Sequence, residues 1–280
     1  MQPCLSAVTT LPSSFADDVA NFADASCPAM EVWLTKLEEH LEKHTVAATK
    51  KLLDDRNVRL VAAAYQGGLL LAQGEQRQAH FDHFRRRLDL CQQFQISTLL
   101  IVADFAAPRS QAALGNEAPT AWERAVASLA QAAEWAASYE VRLALEFRAK
   151  NALCASLATA LALVHQCGAP NVGVNFDVFH YYTGPSKFED LGLLTADRLL
   201  HVQLCDLAGV LRELATDADR ILPGDGDFQL PPILEHFRKI DYTGWVSLEL
   251  MNPTLWQANP QQVAEIGMTA LRKVLGQTAP

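Results

Sequence analysis

The chain has 280 residues, of which 50% are hydrophobic and 20% charged, and its formal net charge is −9. These proportions exclude a disordered chain and supply apolar surface for a sizeable core, and the length lies close to the roughly 250 residues of a (β/α)8 barrel, which favours one domain over residues 1–280. The negative charge argues against a nucleic-acid partner, whose affinity comes largely from Lys and Arg on phosphates.

Taken in chain order, short β-type runs fall at residues 5–10, 29–34, 60–65, 98–104, 142–147, 172–176, 199–204 and 246–250. Between them lie stretches whose apolar residues recur every three or four positions, such as 79–94, 120–138, 156–166, 231–239 and 260–275. This alternation predicts an α/β fold, a closed (β/α)8 TIM barrel in preference to an open doubly wound sheet. No Pro/Gly/Ser linker divides the chain, and the irregular stretches 105–118, 181–190 and 207–230 each follow a predicted strand. Loops after strands build the active face of such a barrel, so substrate contacts are expected there. No apolar run approaches the roughly 18 residues that cross a bilayer, and the N-terminal residues lack the pattern of a signal peptide. The six cysteines (Cys4, Cys27, Cys91, Cys154, Cys167 and Cys205) form no CxxC pair. Reduced thiols in a cytoplasmic protein with no membrane partner are the expectation.

Four successive late strands end on oxygen-bearing side chains: Glu146, Asp177, Gln203 and Glu249. A strand buried on both faces reads as a continuous apolar run, so a carboxylate closing it is desolvated unless a cation or donor meets it. A hard divalent metal ion suits three carboxylates and an amide oxygen. Period-two alternation points His201, Gln203 and Cys205 to one face, which sets His201 one layer below Gln203 if that face is the lumen. Trp33, Tyr65, Phe105, Phe147 and Phe179 stand at or just past strand ends, either as an apolar wall against the carbon face of a sugar or as core. Arg148 reads equally as a helix-cap partner or as a clamp on an anionic substrate. Residues 223–227, Pro-Gly-Asp-Gly-Asp, carry neither a P-loop Lys nor a dinucleotide fingerprint, so the flanking Arg212 and Arg220 are the better anion candidates.

Leu-Glu-Phe at 145–147, Asn-Phe-Asp-x-x-His at 175–180, His-x-Gln-Leu-x-Asp at 201–206, Pro-Gly-Asp-Gly-Asp-Phe at 223–228, Tyr-x-Gly-Trp at 242–245 and Leu-Glu at 248–249 together resemble the xylose isomerase-like TIM barrel superfamily, and within it the sugar phosphate isomerase/epimerase branch. The first half resembles it in βα rhythm and in Glu31. The resemblance implies one divalent cation, Mn²⁺ or Mg²⁺ with Co²⁺ as a further option, held by Glu146, Asp177, Gln203 and Glu249. The family's third ligand is commonly His. Gln203 departs from it, should favour Mg²⁺ and Mn²⁺ over Zn²⁺, and is similar to the dehydroshikimate dehydratases of the same superfamily.

The implied activity is isomerisation or epimerisation of a sugar, sugar phosphate or keto-sugar through an enediolate, with Glu146 and Glu249 as the acid/base pair. His180, Arg148, Arg212, Trp33 and Phe105 are the candidate substrate-binding residues. The alternative is a metal-dependent dehydratase of a cyclic polyol ketone such as an inosose or dehydroshikimate. The expected partner is a small carbohydrate, with homo-oligomers common in the resembled family. Apurinic endonucleases share the barrel, but their zinc cluster needs several His ligands and a basic groove. Here only His180 and His201 lie near the predicted mouth.

Overall fold

The computed structural model describes residues 1–103 and 120–277. Eight strands, β1 (Gln2–Ser6), β2 (Ala29–Trp33), β3 (Arg59–Gln66), β4 (Thr98–Val102), β5 (Arg142–Glu146), β6 (Val172–Asp177), β7 (Leu199–Leu204) and β8 (Trp245–Leu248), close in sequence order into a barrel. Every pairing is parallel, including β1 with β8. Outside it run α1 (Phe15–Asp24), α2 (Leu34–Leu41), α3 (Val46–Asp55), α4 (Gly74–Gln93), α5 (Ala121–Ala137), α6 (Leu157–Cys167), α7 (Val178–Thr183), α8 (Leu230–Lys239) and α9 (Pro260–Leu275). The (β/α)8 TIM barrel expected from the sequence is the observed architecture.

Local signals set the helix ends. Thr120 and Glu123 form a reciprocal capping box at the start of α5, Asn259 caps α9 ahead of Pro260, and Gly168 and Gly276 close α6 and α9 in the left-handed region. The first strand differs from the expectation of 5–10. It spans Gln2–Ser6, and the chain then turns, with Thr9 N donating to Ser6 O at 3.0 Å. The frame is fixed by ladder partners that local sequence does not reveal, from Gln2 beside Trp245 to Leu5 beside Leu248. The sixth unit has no long helix, only α7 and a 3-10 turn at Phe188–Leu193. All six cysteines are free, and among the described residues no helix is long and apolar enough to cross a membrane.

The apolar core between barrel and helices is continuous, with Phe22, Phe84, Phe147, Phe176 and Phe237 fully buried. The lumen is divided. On one side Ala62, Ala64, Leu100, Ala144 and Leu200 form a separate apolar cluster, and Trp33 and Tyr65 pack on it, ring edge to ring face at 5.0 Å. The other side holds Ser6, Glu31, Asn175, His201, Gln203 and Ser247, each at most 1% exposed. Small alanines make room for the aromatic pair, while the polar side positions the residues of the mouth.

A buried ion pair fastens the loop after β1. Lys36 Nζ donates to Ala7 O and Thr10 O, both at 2.8 Å, and to Asp18 Oδ2 at 2.6 Å, while Thr10 Oγ1 donates to Asp18 Oδ1 at 2.7 Å. An ammonium group has three donors, and all are used. Lys36→Met strands a buried carboxylate, so unfolding free energy by urea denaturation is expected to fall by about 3–5 kcal/mol. A loss below about 1 kcal/mol would instead make this pair equivalent to a surface ion pair.

Candidate metal centre

Glu146, Asp177, Gln203 and Glu249 meet at the C-terminal mouth because β5 to β8 are neighbours in register, with Asp177 beside Gln203 and Leu204 beside Leu248. Asp177 also caps α7. Its Oδ1 accepts from Phe179 N at 2.7 Å and His180 N at 3.4 Å, which turns the His180 ring back over the mouth. The donor atoms of Glu146, Asp177 and His180 lie within 4.8 Å of one another. His180 is 5% exposed, and its Nε2 stands 3.4 Å from Glu146 Oε1 and 3.8 Å from Asp177 Oδ2, yet neither ring nitrogen has a hydrogen-bond partner.

Arg220 is the principal cation of the site. Asp206 forms an antiparallel bridge with Ile221, which carries the neighbouring Arg220 inward until it is 1% exposed. Its guanidinium reaches Asp177 Oδ2 at 2.7 Å, Asp217 Oδ1 at 2.7 Å and Glu249 Oε2 at 3.0 Å, and lies over the Phe179 ring at 4.4 Å. Asp206 also accepts from the backbone N–H groups of Leu207, Gly224 and Phe228, so it pins the glycine-rich loop. A Cβ on Gly226 would meet Asp206 Oδ1 at 2.4 Å, which explains a glycine there. The 223–227 stretch therefore serves as a tight turn that holds Arg220's neighbours in place.

Below the mouth, a hydrogen-bonded chain orients Gln203. Its Nε2 donates to Glu249 Oε1 at 2.8 Å and to Glu31 Oε1 at 3.0 Å, and its Oε1 accepts from Asn175 Nδ2. Glu31 is held in turn by Ser6 Oγ and His201 Nε2, both at 2.7 Å. His201 thus lies one layer beneath Gln203 as part of a buried carboxylate–imidazole pair. The amide assignment follows from this network. Gln203, expected to offer an oxygen to a cation, here turns its NH2 to two carboxylates and its oxygen to Asn175.

Burial pushes the Glu249 carboxyl well above the usual carboxylate range, Arg220 opposes this, and the nearby charges of Asp177, Glu31 and Glu146 add to it. Burial would raise Asp177 too, but Arg220 and His180 outweigh it and hold Asp177 below its ordinary value. The two carboxyls sharing Arg220 are therefore shifted in opposite directions, Asp177 toward the ionised form and Glu249 toward the protonated one. Glu31 is lowered, burial being overcome by the hydrogen bond and charge of His201.

The expected substrate residues divide. His180 is in the site. Arg148 flanks it, with Nε 3.8 Å from Glu146 and Nη2 4.0 Å from Asp217. Trp33 stands half-buried over the apolar side of the lumen. Arg212 is a correction. Its side chain is 64% exposed and bonds Glu213 at 3.2 Å, and the guanidinium at the mouth belongs to Arg220. Nothing in the loop's periodicity marks Arg220, whereas the spacing Asp217-x-x-Arg220 matches the pair they form. Phe147 packs edge-on to Phe176 in the outer core. Phe105 lies outside the described residues.

A divalent cation fits this donor set. The carboxylates of Glu31, Glu146, Asp177, Asp217 and Glu249 face Arg148, Arg220 and His201, so negative charge is in surplus. The His180 ring nitrogens and Asn175 Oδ1 are buried without hydrogen-bond partners. Oxygen and imidazole donors with surplus charge suit Mn²⁺ or Mg²⁺.

A family model described as xylose isomerase-like TIM barrel matches residues 19–274. An inosose isomerase of Halalkalibacterium halodurans is 28% identical over 135 residues, a match spanning 48% of this chain and 48% of that relative. An inosose isomerase of Bacillus licheniformis is 22% identical over 268 residues, 94% of this chain and 93% of that one. The crystal structure of the IOLI protein with a zinc atom superposes with a TM-score of 0.88 at 20% identity, covering 99% of this chain and 98% of that chain.

Because burial raises the Glu249 carboxyl, a cation that binds it competes with a proton there. Titration with Mn²⁺ is expected to release protons, measured by calorimetry in buffers of different ionisation enthalpy. Release that persists unchanged in Glu249→Gln would assign the proton to another group.

Proposed function

We propose that this chain, which belongs to the xylose isomerase-like TIM barrel family, is a divalent-metal-dependent isomerase or epimerase that moves a proton at a carbon beside the carbonyl of a polyhydroxylated ketone. The observation that carries this reading is the convergence of Glu146, Asp177 and Glu249 at one mouth, with Arg220 shared between Asp177 and Glu249. Arg220 and His180 hold Asp177 below its ordinary value while burial raises Glu249, and Glu146 completes the mouth. The name shared by the relatives, inosose isomerase, supports a polyhydroxylated ring ketone as the substrate framework.

A divalent cation, Mn²⁺ or Mg²⁺, held by Glu146, Asp177 and Glu249 would supply Lewis-acid polarisation of the substrate carbonyl. The chain's own groups handle the proton. Glu146 and Glu249 arise from strands with β6 and β7 between them, so one takes the proton from carbon and the other returns it from another side, leaving an enediolate in between. Gln203 steadies Glu249 through its N–H at 2.8 Å, and Arg220 holds the opposite oxygen at 3.0 Å, so the carboxyl is fixed in direction. His180 offers an unpartnered ring nitrogen to a substrate hydroxyl. Trp33 and Tyr65 present aromatic surface to the carbon face of a ring.

Gln203 favours a second reading. It stands where the family commonly has His, in similarity to the dehydroshikimate dehydratases. The same deprotonated carbon can then expel a β-hydroxyl, which leaves as water with a proton from the acid and yields a conjugated enone.

Proton NMR in D₂O with Mn²⁺-loaded, then Mg²⁺-exchanged protein and a panel of ketoses, inososes and dehydroshikimate tests both readings. Exchange of the carbon-bound proton with an isomeric product is expected, and a rise in ultraviolet absorbance instead moves the chain to the lyases. Glu249→Gln and Glu146→Gln should each slow exchange by about 10²–10⁴-fold. Full activity in either variant, with circular dichroism showing an intact fold, would defeat the assignment.

A further inference from the structure

A cavity of about 240 Å³ opens at His180, between the turn after β5, the first residues of α7 and residues 215–217. Its composition is uneven. At the end nearest the carboxylates stands His180, buried, with neither ring nitrogen hydrogen-bonded. Arg148 and Lys150 stand at the turn, and Phe179, Ala149 and Ala215 give apolar walls.

The turn is built to hold those two cations. Arg148 N donates to Cys154 O at 3.0 Å and Asn151 N to Arg148 O at 2.7 Å, while Asn151 Oδ1 accepts from Leu153 N and Cys154 N at 2.8 and 2.9 Å. This Asx-type closure leaves residues 148 and 150 on the cavity side. Lys150 Nζ donates to the Ala215 carbonyl at 2.9 Å, which spans the cavity rim, and the charge of Lys150 enters no ion pair among the described residues. One carboxylate, that of Asp217, lines the cavity as well, and Glu146 Oε1 stands 3.4 Å from His180 Nε2 at its end. Asp217 spends Oδ1 on Arg220, at 2.7 and 3.0 Å, and Glu146 belongs to the metal centre. Arg148 already pairs with both, Glu146 at 3.8 Å and Asp217 at 4.0 Å, so Lys150 is the cation an oxyanion would engage first and Arg148 the second. A neutral polyol needs donors and acceptors but no paired cations, whereas the planar fork of Arg beside a Lys matches an oxyanion.

We propose that this cavity is a subsite for an oxyanion substituent, so that the substrate is an acidic polyhydroxylated ketone whose carboxylate or phosphate is held by Lys150 and Arg148 while its reacting carbon faces Glu146 and His180. This deepens the proposed function and rests on it for the position of the reacting end. The cavity is smaller than the roughly 300–1,000 Å³ of sites for drug-sized ligands, which limits the substrate to one ring or a short chain.

Calorimetry on the Mn²⁺-loaded protein tests it with two probe pairs, shikimate against its methyl ester and glucose 6-phosphate against glucose. At least one charged member is expected to bind about ten-fold or more tightly than its neutral counterpart, the size of one charge-assisted hydrogen bond, and the pair with the larger ratio identifies the oxyanion. Lys150→Met, a change at an exposed side chain, should bring that ratio most of the way to one. Equal binding of charged and neutral members, or a ratio unmoved in Lys150→Met, would overturn the subsite. The two readings fail separately. Proton exchange with a neutral inosose but no charge preference removes only the subsite, and a charge preference without exchange on any ketone supports the subsite while removing the proposed chemistry.

Discussion

One buried guanidinium organises the mouth of this barrel. Arg220 is 1% exposed and shared among Asp177, Asp217 and Glu249, with the Phe179 ring beneath it. A charge so deeply placed survives only when paired and fully hydrogen-bonded, and removal of any partner leaves the others uncompensated. Its position depends on the bridge between Asp206 and Ile221, and that bridge on the glycine-rich turn folded against Asp206. A loop that looks like an anion cradle therefore acts at a distance, by delivering an arginine. The same arginine is shared by two carboxyls whose surroundings shift them in opposite directions, Glu249 up by burial and Asp177 down by the charges of Arg220 and His180.

The lumen beneath is divided for the same purpose. Barrel interiors are commonly filled with branched apolar residues, and here only the Ala62, Ala64, Leu100, Ala144 and Leu200 side follows that habit. The opposite side runs Ser6 to Glu31 to His201 and Gln203, then Asn175 to Glu146. Each member fixes the orientation of the next, so the carboxylates at the top stand on a rigid polar base and not on mobile loops. The cost is desolvation of Glu31, offset by His201.

Much of this was legible in the sequence. Strands β2 to β8 lie within two residues of their expected positions at either end, because each is an apolar run bounded by turn or polar residues, and the convergence of Glu146, Asp177, Gln203 and Glu249 follows from parallel neighbours ending together. Asp177 and His180 were visible as a spacing of three. The position of β1 was not, since its ladder with β8 joins opposite ends of the chain. Nor was the choice of Arg220 over Arg212, which depends on a single bridge in a loop without periodicity. The sense of the Gln203 amide was equally hidden, because it is decided by Glu31 and Asn175 from other strands. The Lys36–Asp18 pair was hidden too, since a Lys on an amphipathic helix ordinarily reads as solvent-facing.

The surplus of carboxyl groups at this mouth calls for completion by one divalent cation. Anomalous diffraction at the manganese edge from crystals soaked in Mn²⁺ tests it most directly. A single strong peak among Glu146, Asp177 and Glu249 is expected, with Arg220 still on Asp217. A fully soaked crystal with no peak there, or with its strongest peak away from these carboxylates, would contradict it.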